Sequence, residues 1–287
     1  ALEIGLPFSQ FISWGFSANP RLPDHVTVWQ MIRVSQDGFK WEWEPVQAAA
    51  RALPGAVWVI GNEPDVKWQD NVTPEVYAER YHEAWTRIRE ADPTARIAPA
   101  GVAQATPLRL AWLDAMLQAY QEKYGQPLPA DHWTLHTYIL REEADSWGVD
   151  IPPGIDARTG ALYEIEDHDR IDLFEEQLVR FRAWMAANGY QELPLSITEF
   201  GILLPNDYGF PPERIAEFMA ETFDLMRTLR GPDGMPGDDN RYVQTWFWYS
   251  LEDTPDYYPT SNLIDREAGE LTFLGKAWRN YLLQPFE

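Results

Sequence analysis

The chain has 287 residues, 45% of them hydrophobic, and a formal charge of −22. That length suits one barrel-sized domain with a sizeable core, and the charge argues against nucleic acid and anionic membrane surfaces as partners. Cysteine is absent, which excludes disulfides and cysteine-ligated metals, and no apolar run approaches the ~18 residues of a membrane span. Read in chain order, residues 4–6 are a first strand, 11–16 a second and 26–34 a third. A short helix over 45–53 leads to a fourth strand over 56–62. Thr73-Pro74-Glu75 then opens a helix, with Thr as N-cap and Pro at the first helical position. A fifth strand spans 95–102, and Thr106-Pro107 repeats the same helix start, with Gly125 as terminator. The sixth strand is 133–139. A long acidic stretch, 141–171, follows it and contains Pro152-Pro153-Gly154. Asp172 and Glu175 resemble a capping box for a helix ending at Gly189. A seventh strand over 195–200, a helix from Pro211-Pro212 to about Leu229, an eighth strand over 242–250 and a closing helix over 274–282 complete the pattern. This alternation predicts one α/β domain, residues 1–287, folded as a (β/α)8 TIM barrel with a long insertion after strand six.

Two strands end in chemistry. Val57-Trp58-Val59-Ile60-Gly61-Asn62-Glu63-Pro64 and Leu195-Ser196-Ile197-Thr198-Glu199-Phe200-Gly201 are apolar, β-prone runs that deliver a glutamate and then break. In a parallel barrel all strand C-termini face one mouth, so Glu63 and Glu199 are expected to converge there. Proline disfavours the α region for the residue before it, so Glu63 is expected to be extended. Two carboxylates at one mouth are the minimum equipment for cleaving a glycosidic bond. Sequence spacing does not choose between retention, which needs about 5–5.5 Å between the carboxyls, and inversion, which needs about 6.5–9.5 Å.

These motifs resemble clan A of the retaining glycoside hydrolases. Ile12-Ser13-Trp14-Gly15-Phe16, Val28-Trp29-Gln30-Met31-Ile32 and Asn62-Glu63-Pro64-Asp65, followed by Gln69, Asn71, Thr73 and Pro74, are similar to the family 128 endo-β-1,3-glucanases. The chain departs from that pattern at His136-Thr137-Tyr138, where a His-Trp-Tyr-like run is expected, and in the 141–171 insertion. The resemblance implies a retaining double displacement, with Glu63 as acid/base and Glu199 as nucleophile. It also implies that Asn62 contacts the sugar 2-OH, and it favours endo-action on a neutral β-1,3-glucan. Other clan substrates (a mannan, a xylan, an exo-cleaved glycoside) and a non-catalytic carbohydrate-binding barrel stay open.

The remaining candidates for sugar contact come from position and aromaticity. His136 and Tyr138 share strand parity and so face one side, as do Trp246 and Trp248. Trp14, Trp29 and Gln30 lie on early strands, and Trp68, Gln69 and Asn71 follow Glu63. Trp147 lies in the insertion. The 14 tryptophans suit stacking on sugar rings, although most must pack in the core. His82 and His132 have no ligand-spaced partner for zinc, and Asp233, Asp238, Asp239 and Asn240 lack calcium-loop spacing. No cofactor or metal is therefore expected. The expected partner is a neutral oligo- or polysaccharide, the expected assembly a monomer. The expected setting is secreted or bacterial cell-surface, with the cytoplasm left open.

Overall fold

The structure, a computed structural model, describes residues 1–253 and 258–284. Seven parallel strands form its centre: β1 Gln10–Ile12, β2 Thr27–Ile32, β3 Val57–Ile60, β4 Arg96–Pro99, β5 Trp133–His136, β6 Leu195–Phe200 and β7 Thr245–Trp248. They make two sheets, β1-β2-β3-β4 and β7-β6-β5, every pairing parallel. Helices α1 Trp43–Ala52, α2 Pro74–Ala91, α3 Pro107–Tyr124, α4 Ile171–Ala187, α5 Pro212–Thr228 and α6 Phe273–Leu283 cover them. The fold is thus α/β with helices on the outer faces of parallel strands. Among the described residues no helix is long and apolar enough to cross a membrane.

The first predicted strand is corrected. Residues Leu2–Ile4 form a single 3-10 turn that Gly5 ends at φ 81, a left-handed value suited to glycine. The two sheets meet differently at their two seams. Between β4 and β5, backbone bonds run from Asp131 N to Ile97 O (2.9 Å), from His136 N to Val102 O (2.9 Å) and from Tyr138 N to Ala103 O (3.2 Å). Between β1 and β7 the described contact is a side-chain bond from Gln10 Nε2 to Thr245 Oγ1 at 3.4 Å. There a cavity of about 700 Å³, lined by Phe8, Phe11, Phe247 and Trp278 among others, opens from the helix layer toward Glu199.

Alternation along the strands sorts the core into two layers. Trp29, Met31, Val57, Val59 and Phe247 pack together on the inner face of the strands. Ile32, Trp58, Ile60, Ile97, Leu135, Leu195, Ile197 and Trp248 face the helices. Tyr77 of α2 ties two strand ends together. Its hydroxyl donates to Ile60 O at 2.6 Å and accepts from Ala100 N at 2.7 Å. Helix α3 ends on Gly125 at φ 70 as its sequence predicts. Thr73 holds the N-cap position of α2, but its hydroxyl makes no capping bond, and Arg170 rather than Asp172 precedes α4. The acidic loop near 238 is neutralised by arginine: Asp238 pairs with Arg241 and Asp239 with Arg230.

Candidate active site

Both glutamates reach one place, each by a backbone irregularity. After β3, Gly61 takes φ 98 and Glu63 itself takes φ 42. The expected extended Glu63 is therefore corrected to a left-handed one, which for a non-glycine residue is uncommon and often marks a functional site. On β6 the register shifts: Leu135 pairs with Ile197, but His136 pairs with Glu199. β7 records the same shift, Trp246 pairing with Ile197 and Trp248 with Phe200. One extra residue on β6 is a bulge, and a bulge re-aims the side chains beyond it.

The carboxylates are almost fully buried, Glu63 at 6% and Glu199 at 9% exposure. His136 lies between them, its Nδ1 2.8 Å from Glu63 Oε1 and 3.7 Å from Glu199 Oε2. One oxygen from each glutamate and a ring nitrogen of His136 lie within 4.8 Å of one another. This is the one trio of metal-ligand type among the described residues, yet Nδ1 is already committed to Glu63. Glu199 takes two further hydrogen bonds, from Trp14 Nε1 to Oε1 at 2.8 Å and from Tyr138 Oη to Oε2 at 3.3 Å.

Burial raises the Glu199 carboxyl above its ordinary range. The neighbouring Glu63 charge adds to this, while His136 and the bonds from Trp14 and Tyr138 act the other way. For His136, burial alone would lower the pKa. The Glu199 charge, the Glu63 bond and charge, and Asp65 outweigh it, so His136 stands above 6.5. Gly101 makes room for that ring, since a Cβ there would lie 2.7 Å from His136 Cδ2.

A cavity of about 310 Å³ opens over the pair. Trp14, Trp68 and Gln69, three of the expected sugar contacts, line it with Glu63, Tyr138 and Glu199. Trp68 is 66% exposed, with Lys67 Nζ 4.8 Å from its ring centre. Asn62 lies just beneath. Its backbone N–H is held by Asp70 at 2.8 Å, its Nδ2 reaches Gln69 Oε1 at 3.4 Å, and its buried Oδ1 has no hydrogen-bond partner. The insertion supplies Gly148 and Val149 to one wall. Trp147 does not line the cavity; it packs against the apolar cluster that contains Tyr138 and Val149.

Five further expectations are corrected. Trp29 sits mid-strand on β2, in the inner core with Phe247, its indole N–H on Gln10 Oε1 at 2.8 Å. Gln30 faces the opposite side and accepts from Ser17 N. Trp246 and Trp248 face the helices, where both pack on Phe223 and Trp248 donates to Ser261 O. Asn71 is exposed, in the connection between β3 and α2, at φ 51.

The sequence reading missed Tyr249 and Asp253. Tyr249 lines the cavity, meets Trp14 edge-on at 5.6 Å and donates to Asp253 at 2.8 Å. Tyr249 lies two residues beyond the inward Phe247, as Tyr138 lies two beyond His136, but the uniformly bulky run from Trp246 to Tyr249 does not mark which face is inward. Arg33, also missed, lines the cavity and pairs with the buried Asp70 at 2.6 Å.

No family model matches the sequence, and no curated protein matches it. Solved structures do. A family 128, subgroup II endo-β-1,3-glucanase from Pseudomonas viridiflava superposes with a TM-score of 0.63 at 21% identity, over 99% of this chain and 92% of that one. A subgroup III curdlan-specific exo-β-1,3-glucanase from Blastomyces gilchristii, in complex with glucose, gives 0.61 at 18%, over 96% and 90%. A subgroup I endo-β-1,3-glucanase from Amycolatopsis mediterranei, in complex with laminaritriose, gives 0.57 at 18%, over 95% and 90%. At these identities the likeness is one of fold.

Proposed function

We propose that the chain is a glycoside hydrolase that cleaves β-1,3-glucan internally with retention of configuration. The observation that carries this is the pair of buried carboxylates at the ends of β3 and β6, with oxygens within 4.8 Å of each other. That approach supports the retaining spacing of about 5–5.5 Å over the inverting spacing of about 6.5–9.5 Å. The substrate class is carried over from the structural relatives, endo- and exo-β-1,3-glucanases with which laminaritriose and glucose have been crystallised. We also read the two sheets as arcs of a single (β/α)8-type barrel, open at the seam between β1 and β7, and the protein as a monomer.

In this reading Glu199 attacks the anomeric carbon while Glu63 gives its proton to the departing oxygen. Glu63 then takes a proton from the incoming water, which releases the sugar from Glu199. The donors are distributed to suit these roles. Glu199 receives Trp14 and Tyr138, which favour its ionised form. Glu63 has the His136 ring, which orients it.

Digestion of laminari-oligosaccharides, followed by chromatography and early-time proton NMR, tests this. A ladder of oligosaccharides released first as β-anomers is expected. An α-anomer first would overturn retention, and glucose alone would replace endo-action with exo-action. No cleavage of laminari-oligosaccharide, mannan or xylan would leave a binding protein.

A further inference from the structure

We propose that Arg109 is a positioning residue that fixes the insertion as a rigid wall of the cleft, set against the loop that carries Glu63. This rests on reading the cleft as a glycan site. Arg109 lies in the first turn of α3, and its side chain is wholly buried. One terminal nitrogen donates to Asp65 O at 2.8 Å and to the Asp65 carboxylate. The other donates to Val149 O at 3.2 Å and Asp150 O at 3.0 Å. Nε lies 2.9 Å from Glu142 Oε1. Asp65 follows Glu63 by two residues, whereas Glu142, Val149 and Asp150 belong to the insertion. A single guanidinium therefore holds the two walls at one separation.

The acids it meets are themselves anchored. Asp65 Oδ2 accepts from Ala103 N at 3.1 Å. Glu142 accepts from Thr106 Oγ1 at 2.6 Å and from Ala161 N at 2.9 Å. Above the cluster, Val66 from one wall and Val149 from the other pack with Tyr138, and both line the cavity. A second bridge, Lys67 to Asp150 at 3.1 Å, crosses the same seam at the surface.

Stability is a weak reason for such a cluster, because a buried ion pair is often matched or bettered by apolar residues of the same volume. Geometry is a stronger one. The planar fork addresses several acceptors at fixed angles, which a lysine ammonium cannot reproduce. Long loops in compact domains are often lids. This one is pinned from below, and its backbone carbonyls at 149 and 150 are the pinned atoms.

The test is Arg109→Lys, which keeps the charge and loses the fork. Wild type, Arg109→Lys and Lys67→Ala are compared by thermal unfolding, by hydrolysis of laminarihexaose and of an aryl β-laminaribioside, and by hydrogen exchange of amides 145–151. The expected result for folded Arg109→Lys is a KM for the hexaose raised about tenfold or more, with kcat on the activated aryl substrate within about twofold. Exchange at 145–151 should quicken by about tenfold or more. Lys67→Ala, which removes only the half-exposed second bridge, should move these readouts less than Arg109→Lys does. A folded Arg109→Lys with a lower Tm but unchanged KM and unchanged exchange overturns the proposal. Should Arg109→Lys not fold, Glu142→Gln gives the same two readouts, because its amide faces the Ala161 N–H and loosens the clamp from the other end. A wild type that cleaves no β-glycan defeats the glycan reading, while the exchange comparison still decides whether the clamp exists.

Discussion

Replacing Trp14 with Phe removes one donor and little else. The indole Nε1 donates to Glu199 Oε1 at 2.8 Å, while the ring's edge contact with Tyr249 survives in a phenyl. Hydrogen bonds to charged groups contribute about 1.5–3 kcal/mol. Trp14 is 41% exposed, so water will replace part of the lost bond and the lower end, about 1.5 kcal/mol, applies. At 1.36 kcal/mol per pH unit that is a change of about one unit. Its sign follows from the site. Burial already raises Glu199, and the Trp14 bond acts to lower it, so Trp14→Phe moves the pKa further up. If Glu199 must be ionised to attack, the acid limb of the kcat/KM profile moves to higher pH by about one unit. Tyr138→Phe, which removes a longer bond of 3.3 Å, should move it less. The assay is kcat/KM for laminarihexaose from pH 3 to 8 for the three proteins, with folding checked by circular dichroism. An acid limb that stays in place in folded Trp14→Phe would refute the assignment of that limb to Glu199.

The two glutamates should differ when truncated: Glu63→Ala retains glycosylation by substrates with good leaving groups, whereas Glu199→Ala is inactive but partly rescued by azide, giving inverted product. Steady-state kinetics across leaving groups checks this, and identical behaviour of the two variants counts against the roles. Gly101→Ala should push His136 off Glu63, because the new Cβ would lie 2.7 Å from His136 Cδ2; a kcat loss of about tenfold or more is expected, and full activity in a folded variant would argue against a role for the His136–Glu63 bond. His168 is buried, its Nδ1 3.0 Å from Ile139 O and its Nε2 accepting from Leu203 N, and burial lowers its pKa from 6.5 to about 4. The unfolded chain therefore takes up the proton first, and stability falls as pH drops through that window, by about 3 kcal/mol in all at 1.36 kcal/mol per unit. His168→Gln, which can serve both partners without titrating, should lose about that much less between pH 7 and pH 3.5 in urea unfolding. Equal losses would defeat the argument.

What was legible in the sequence was local. Seven of the predicted strands are present, and Glu63 and Glu199 stand at strand ends because each follows an apolar β-run that Pro or Gly breaks. The faces of β7 were not legible. Thr245-Trp246-Phe247-Trp248-Tyr249 is bulky throughout, so alternation gives two equally apolar faces and no reason to choose Phe247 and Tyr249 as the inward pair. Trp29 was misplaced for a different reason. It lies mid-strand on β2, and its side chain fills the inner core with Met31, Val59 and Phe247, so it does not reach the cavity over the glutamates. The Asp65–Arg109–Glu142 cluster had no sequence signal, because its members are distant in the chain and meet only after α3 packs.

The most consequential irregularity is the bulge in β6. Leu195 and Ile197 face the helices, and so does Phe200. Strict alternation from Leu195 and Ile197 would therefore send Glu199 outward into the apolar helix layer, where a carboxylate would be buried without donors. The extra residue in β6 resets the alternation. Glu199 then pairs with His136 in the ladder and meets Trp14 and Tyr138, while Phe200 returns to the core between Phe174 and Trp248. Glu63 reaches the same point by another route, the left-handed turn of Gly61 and Glu63 after a regular strand. A regular strand offers its last side chains only up or down. Here the backbone departs from regularity twice, once beside each glutamate, and the two carboxylates come together. The departures occur beside the two glutamates while β3 and most of β6 stay in register beneath them, so the cost of the irregular backbone is borne by strands buried on both faces.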